Sequence, residues 1–258
     1  MNHASVITAA TVAFLAAVPA HADPEHLTAD QVKAALSAAP KGKLDLSGKD
    51  MRDDDLTGLD LSGANLTHVN LAGANLHGVK LVGTDLSGAN LTKADLTFAW
   101  IMKAKFDHAN LHGATLQTVV TSEAMDNKPE TAASFVGADL SDTSATVHFS
   151  WDDMRGANLR GSNQSVVLAN QSMGMLRSEY IDANLDGADF TDAKLGRIVF
   201  RFAKLNNAIF RGADLTLADF TGAYLTGADF TGAKFDQTNF DSATIKDTKG
   251  LPPNAATR

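Results

Sequence analysis

The sequence predicts an all-β solenoid, a coil of short extended segments joined by corners, and two observations carry that prediction. The first is spacing. Leu46, Met51, Leu56, Leu61, Leu66, Leu71, Leu76, Leu81, Leu86, Leu91, Leu96, Ile101, Phe106, Leu111 and Leu116 follow one another at every fifth position without a miss. A second run from Leu185 through Phe190, Leu195, Phe200, Leu205, Phe210, Leu215, Phe220, Leu225, Phe230, Phe235 and Phe240 to Ile245 repeats it. The second observation is what lies between. Small apolar residues such as Ala64, Val69, Ala74 and Ala89 stand two positions earlier, Asn or Asp usually separates the pair, and Ser/Thr-Gly often follows. Period five fits neither a helix nor an unbroken strand. Two inward residues flanking one outward residue make a short extended side, and the remaining two turn the chain, which suits glycine at positive φ.

These A(N/D)LxG units resemble those of the pentapeptide-repeat family, over residues from about 44 to 247. The resemblance implies four repeats per coil, with the Leu/Phe and the Ala two before it both inside. The expected fold is an all-β, right-handed four-sided parallel β-helix of about ten coils with a short N-terminal capping helix, on the order of 50 Å long at the spacing of paired strands. Residues four repeats apart then stack. Phe190, Phe210 and Phe230 form one column, and Phe200, Phe220 and Phe240 form another on the opposite side.

A solenoid must cover its ends, where unpaired backbone invites polymerisation. Thr28-Ala29-Asp30-Gln31 reads as a capping box, with Leu27 placed to staple against Val32 and an apolar stripe of Val32, Ala35 and Leu36 running to about Ala39. At the other end, Lys249-Gly250-Leu251-Pro252-Pro253 stops strand pairing. In the first coil Lys49 and Asp54 fall at inward positions. The chain divides into a signal segment (1–22), a capping helix and linker (23–43), a first regular run (44–120), an irregular middle (121–184), a second regular run (185–247) and a tail (248–258). Within the middle, 121–134 lacks inward-spaced Leu or Phe and contains Pro129, so it is an excursion. Met154 and Leu159 sit one position out of register, and Gln164 would have to face inward.

The chain holds 258 residues with no cysteine and a formal charge of -8. Disulfides and thiolate metal sites are excluded, and the acidic balance argues against direct nucleic-acid binding through a basic surface. From Val6 to Val18 the sequence is apolar or small, no charged side chain precedes Asp23, and Ala20-His21-Ala22 offers an A-x-A site. Cleavage between Ala22 and Asp23 and export to the periplasm or beyond are expected. No later run is apolar enough to span a membrane, and a monomer or weak dimer is expected.

No nucleophile–base signature, phosphate loop or spaced metal-ligand motif occurs, so neither catalytic residues nor a metal or other cofactor is expected. His68 and His108 are two coils apart on one side, His77 and His112 lie on different sides, and His148, Met173 and Met175 fall in the irregular middle. The outward Asn/Asp ladders could bind calcium or mimic a phosphate backbone, but such residues also bond local backbone at turns. More telling are large apolar groups where Asn, Ser or Gly is usual. Phe98, Trp100 and Met102 point outward by phase, flanked by Lys80, Lys103 and Lys105, with Val82 one coil below Met102. Val199 and Phe202, with Arg197 and Arg201, form a similar departure. These surfaces, with Met125, Asp126, Asn127 and Lys128 of the excursion, are the expected contacts for an unidentified protein partner. Two other classes of function compete with this one. The resemblance also implies an acidic, DNA-like rod that binds DNA gyrase, against which the export signal argues. An enzyme is disfavoured because a rod filled with side chains offers no pocket.

Overall fold

The computed structural model describes residues 26–40, 42–122, 128–165, 177–253 and 255. The proposed signal segment, Met125, Asp126, Asn127, Met173 and Met175 lie outside them. Four parallel ladders of backbone bridges run along the chain, one per side of the coil. In the first coil they pass through Asp45, Asp50, Asp55 and Asp60, which pair four repeats onward with Asn65, Asn70, Asn75 and Lys80. The Asn/Asp position of each repeat is thus the middle of a side, and its two neighbours face inward. Leu66, Leu71, Leu76 and Leu81 are fully buried in this way, as are Ala183, Leu185, Ala188 and Phe190.

The regular period breaks in the middle, and the bridges say where. Lys105 pairs with Ser134, so the excursion after Val120 lengthens one coil by nine positions. Part of it is a 3-10 turn at Pro129–Thr131. The next coil, from Ser134 to its partner Asp153, is one position short of four repeats. Strand β1 (Thr115–Gln117) pairs in parallel with β2 (Ser144–Thr146), and the following ladder residue, His148, comes four rather than five positions after Ser144. That one short side moves Met154 and Leu159 out of register while leaving both fully buried. Asp153 then pairs with Asn184, so eleven positions are added before Glu179. The sequence pattern discloses only one excursion; the second addition, which contains residues 166–176, merges there into general irregularity.

The aromatic columns form as the period requires. Phe210 stacks on Phe190 at 4.9 Å and on Phe230 at 4.8 Å, nearly parallel in both cases. Phe220 stacks on Phe200 at 5.0 Å and on Phe240 at 5.1 Å. Across the axis the columns meet edge to face, as Phe210 and Phe220 do at 5.6 Å and 89°, an arrangement that suits the ring quadrupoles. Tyr180 continues the Phe200 column at 5.2 Å, and Phe149 follows at 5.1 Å.

Helix α1 (Ala29–Ala38) begins with the expected capping box, Thr28 and Gln31 satisfying each other's backbone N–H. It buries Val32, and Leu27, Ala35 and Leu36 pack partly buried against the core. Leu27 N–H donates to the Asp50 carbonyl at 2.8 Å, tying the helix start to the second ladder. Lys49 and Asp54 are half-buried in the first coil, and an Asp54 carboxylate oxygen lies 3.9 Å from His26 Nε2. At the far end Lys249 is the last residue of its ladder. Gly250 follows at φ +72°, where a Cβ would come within 2.6 Å of the Phe230 backbone. Only glycine fits there, and the prolines after it cannot extend the ladder.

Candidate interaction surfaces

Each outward face is built from the ladder residues and the corners beside them. The ladder Asp and Asn side chains turn back on their own corners: Asp45 accepts from Ser47 N–H at 3.0 Å, Asn65 from Thr67 N–H at 3.1 Å, and Asp95 from Thr97 N–H at 2.9 Å. Between coils, Asn70 donates to Asp50 and Asn90 to Asn70, both at 3.0 Å. Hydrogen bonds from Thr231, with Arg211 nearby, hold the Asp229 carboxyl down to about 2. Ser47 does the same for Asp45, in direction. These acids are therefore ionised and locally bonded. Among the described residues no group of three or more His, Asp or Glu could hold a metal ion.

The corners carry most of the departures. Many non-glycine residues there have left-handed backbone, among them Phe98 at φ 59°, Trp151 at 71° and Phe202 at 57°. For bulky side chains this region is a genuine outlier. His68 and His108 occupy such corners two coils apart, each leaning into the space left by a glycine in the next coil, Gly88 and Gly137. His148 lies 3.6 Å from Glu179.

In the first surface, Phe98 is 47% and Trp100 37% exposed. Phe98 meets His77 edge-on at 5.3 Å, and the Lys80 ammonium lies 5.7 Å from the Trp100 ring centroid. Lys103 is exposed, and Lys105 sits 3.9 Å from Asp85. Met102 departs from expectation: it is 2% exposed, not an outward group. Its corner is where the excursion returns, since Lys103 N–H donates to the Thr131 carbonyl at 2.9 Å. Lys128, just before that turn, is exposed.

The second surface is also corrected. Val199 is 1% exposed. It lies in its ladder between Glu179 and Asp219, which are engaged by Arg177 at 2.9 Å and Arg201 at 3.0 Å, so long arginine side chains stand on both sides of it. Phe202 remains outward at 51% and faces a different neighbourhood, a groove it shares with Trp151 and Tyr224. Neither of these two emerges from the sequence pattern as a site residue. Tyr224 holds a ladder position where Asp or Asn is usual, the same signal that marks Trp100. Trp151 is legible only once the short side before His148 is located.

Four ladders with a period of four repeats define a quadrilateral β-solenoid. The pentapeptide repeat model matches in 8 copies at residues 43–71, 70–107, 183–222 and 218–249, just over half of the chain. The chain belongs to the pentapeptide repeat family, whose members fold as right-handed quadrilateral β-helices. Among solved structures it is similar to HetL, a pentapeptide repeat protein involved in heterocyst differentiation regulation from the cyanobacterium Nostoc, at 24% identity over 87% of this chain and 95% of that one, with a TM-score of 0.40. A pentapeptide repeat protein from the Arabidopsis thaliana thylakoid lumen matches at 28% identity over 50% and 71% (TM-score 0.33). QnrB1, a plasmid-mediated fluoroquinolone resistance protein, matches at 18% over 78% and 93% (TM-score 0.29). No curated protein sequence matches. Among the described residues no helix is long and apolar enough to cross a membrane.

Proposed function

We propose that this chain is a non-enzymatic, exported scaffold, a rod of about ten coils closed at its N-terminal end by α1, whose side holds a protein partner. The observation that carries the reading is the Phe98–Trp100 surface. Two large rings stand half-exposed where the repeat normally places small or polar groups, rimmed by Lys80, Lys103 and Lys105 beside the returning excursion. Aromatic anchors with a charged rim are the composition of binding hot spots. With a photo-crosslinking residue in place of Phe98, a discrete crosslinked partner is expected in cells, and Trp100→Ala should remove it. No discrete crosslink, or one indifferent to Trp100→Ala, would count against the surface.

Export is a separate part of the proposal. Sequencing the N-terminus of the mature protein from fractionated cells should give a periplasmic chain starting at Asp23. An intact cytosolic chain would instead favour an acidic rod that binds DNA gyrase, a reading supported by the formal charge of -8.

A further inference from the structure

One corner column on the second-run side carries an unusual series. Trp151, Asp182, Phe202 and Gly222 occupy the same corner in successive coils, joined by the bonds from Trp151 N–H to the Ile181 carbonyl and from Asp182 N–H to the Arg201 carbonyl, each 3.0 Å. The first three residues are all left-handed. Beside them runs the ladder Asp153, Asn184, Lys204, Tyr224. Together they line an open groove of about 490 Å³, onto which Trp151, Phe202 and Tyr224 are all exposed. The Phe202 ring is held in place from behind. A Cβ on Gly222, at φ +67°, would come within 2.5 Å of that ring, so the ring lies across a position where only glycine leaves room.

The two carboxylates of the groove differ. Asp153 is spoken for, accepting from Arg155 Nε and Nη2 at 2.9 and 2.7 Å. The Asp182 carboxylate takes no hydrogen bond and no ion pair among the described residues, and partial burial raises its pKa. An unpaired, half-buried carboxylate in a groove with exposed aromatic rings is a ready partner for a cation. Trp151 and Phe202 are two coils apart, roughly 10 Å at the spacing of paired strands. Both rings line the same groove as Asp182, so a cation held there by the carboxylate meets aromatic surface suited to cation–π attraction.

The geometry points to a site for a small quaternary ammonium group, formed by Trp151, Asp182 and Phe202 with Tyr224 at its edge. Desolvated methyl groups of such a cation suit the rings, and its charge suits Asp182. Lys204 opposes it from the rim, which gives the proposal a signature of its own. A sugar would use Lys204 as a hydrogen-bond donor, whereas a cation is repelled by it.

The test uses the full chain carrying Trp100→Phe, which leaves Trp151 as the one tryptophan and hence a local fluorescence reporter. Titration with choline should give a saturable change with a dissociation constant on the order of millimolar. The neutral isostere 3,3-dimethylbutanol should bind at least roughly tenfold more weakly, as should choline to Asp182→Asn; Lys204→Ala should tighten choline binding. Cosedimentation with phosphatidylcholine but not phosphatidylglycerol vesicles would mark a lipid headgroup as the source of the cation, and soluble binding alone a free solute. No saturable change, equal binding of the isostere, an indifferent Asp182→Asn, or weaker binding by Lys204→Ala would each overturn the site. Binding of cellobiose in place of choline would assign the groove to sugars and overturn it as well.

Discussion

Raising the pH from about 4 to about 8 is expected to cost this protein roughly 4–6 kcal/mol of folding stability through one side chain, Asp152. Asp152 is 1% exposed and stands between Ala133 and Ala183, in a column that is otherwise mostly alanine. Its Oδ1 accepts from Ala133 N–H at 2.8 Å, while Oδ2 is buried with no hydrogen-bond partner. Burial pushes its carboxyl up to about 8, opposed only by the Ala133 bond. The ionisable group facing it, the Tyr180 hydroxyl, is itself pushed up by burial and donates to Gln164 Oε1 at 2.7 Å, so it stays neutral. Because the folded protein binds this proton more tightly than the unfolded chain, the stabilisation is complete below the unfolded pKa near 4. It is lost as pH rises to about 8. Asp152→Asn keeps an acceptor for Ala133 and removes the titration. At pH 8 the variant should therefore melt on the order of 10 °C higher than the parent, with a difference that shrinks toward pH 4. Melting curves of both proteins across that range check it. A difference that does not change with pH would refute the raised carboxyl.

Phe210→Ala should be among the most damaging single truncations in the core, at roughly 3–5 kcal/mol. The ring stacks face to face on Phe190 and Phe230 and meets Phe200 and Phe220 edge-on, so its removal leaves a cavity against four aromatic neighbours. Residues in adjacent coils cannot close in, because the backbone ladders on every side fix the coil spacing. Phe240, stacked face to face only on Phe220 and close to the C-terminal end of the rod, should cost less when truncated in the same way. Denaturant unfolding of the two variants measures the contrast. Equal losses would show that the end of the rod is as tightly packed as its middle.

The fold is legible wherever the information is local or periodic. The Thr28–Gln31 capping box needs only its own turn of chain, and the phenylalanine columns need only a count of four repeats. Gln164 reads as an inward residue from phase alone, although the Tyr180 hydroxyl that satisfies it cannot be seen from the chain. Surface character is less legible, because phase says which way a side chain leaves the backbone and not what lies over it. Phe98, Trp100 and Phe202 are therefore exposed as their phase implies, while Met102 and Val199 are not: the first sits where the excursion returns, the second between two arginine-bound carboxylates. Trp151 and Asp152 stay hidden for a third reason. They follow the shortened side between Ser144 and His148, and until that shortening is located neither has an assignable direction.

That shortened side, with the two additions around it, has a consequence for how such a rod can be altered. The coil behaves like a message with a reading frame of five that is consulted one side at a time. The first addition shifts the frame, the deletion shifts it again and the second addition moves it partly back, yet one continuous core runs through all three changes. The frame is never compared from end to end, since each side answers only to the sides stacked directly above and below it. The corners after Val120 and Asn163 are therefore the places where the coil already takes in nine and eleven extra positions without respecting the count. An insertion of even a single amino acid within a side, between an inward alanine and its leucine, has no such freedom.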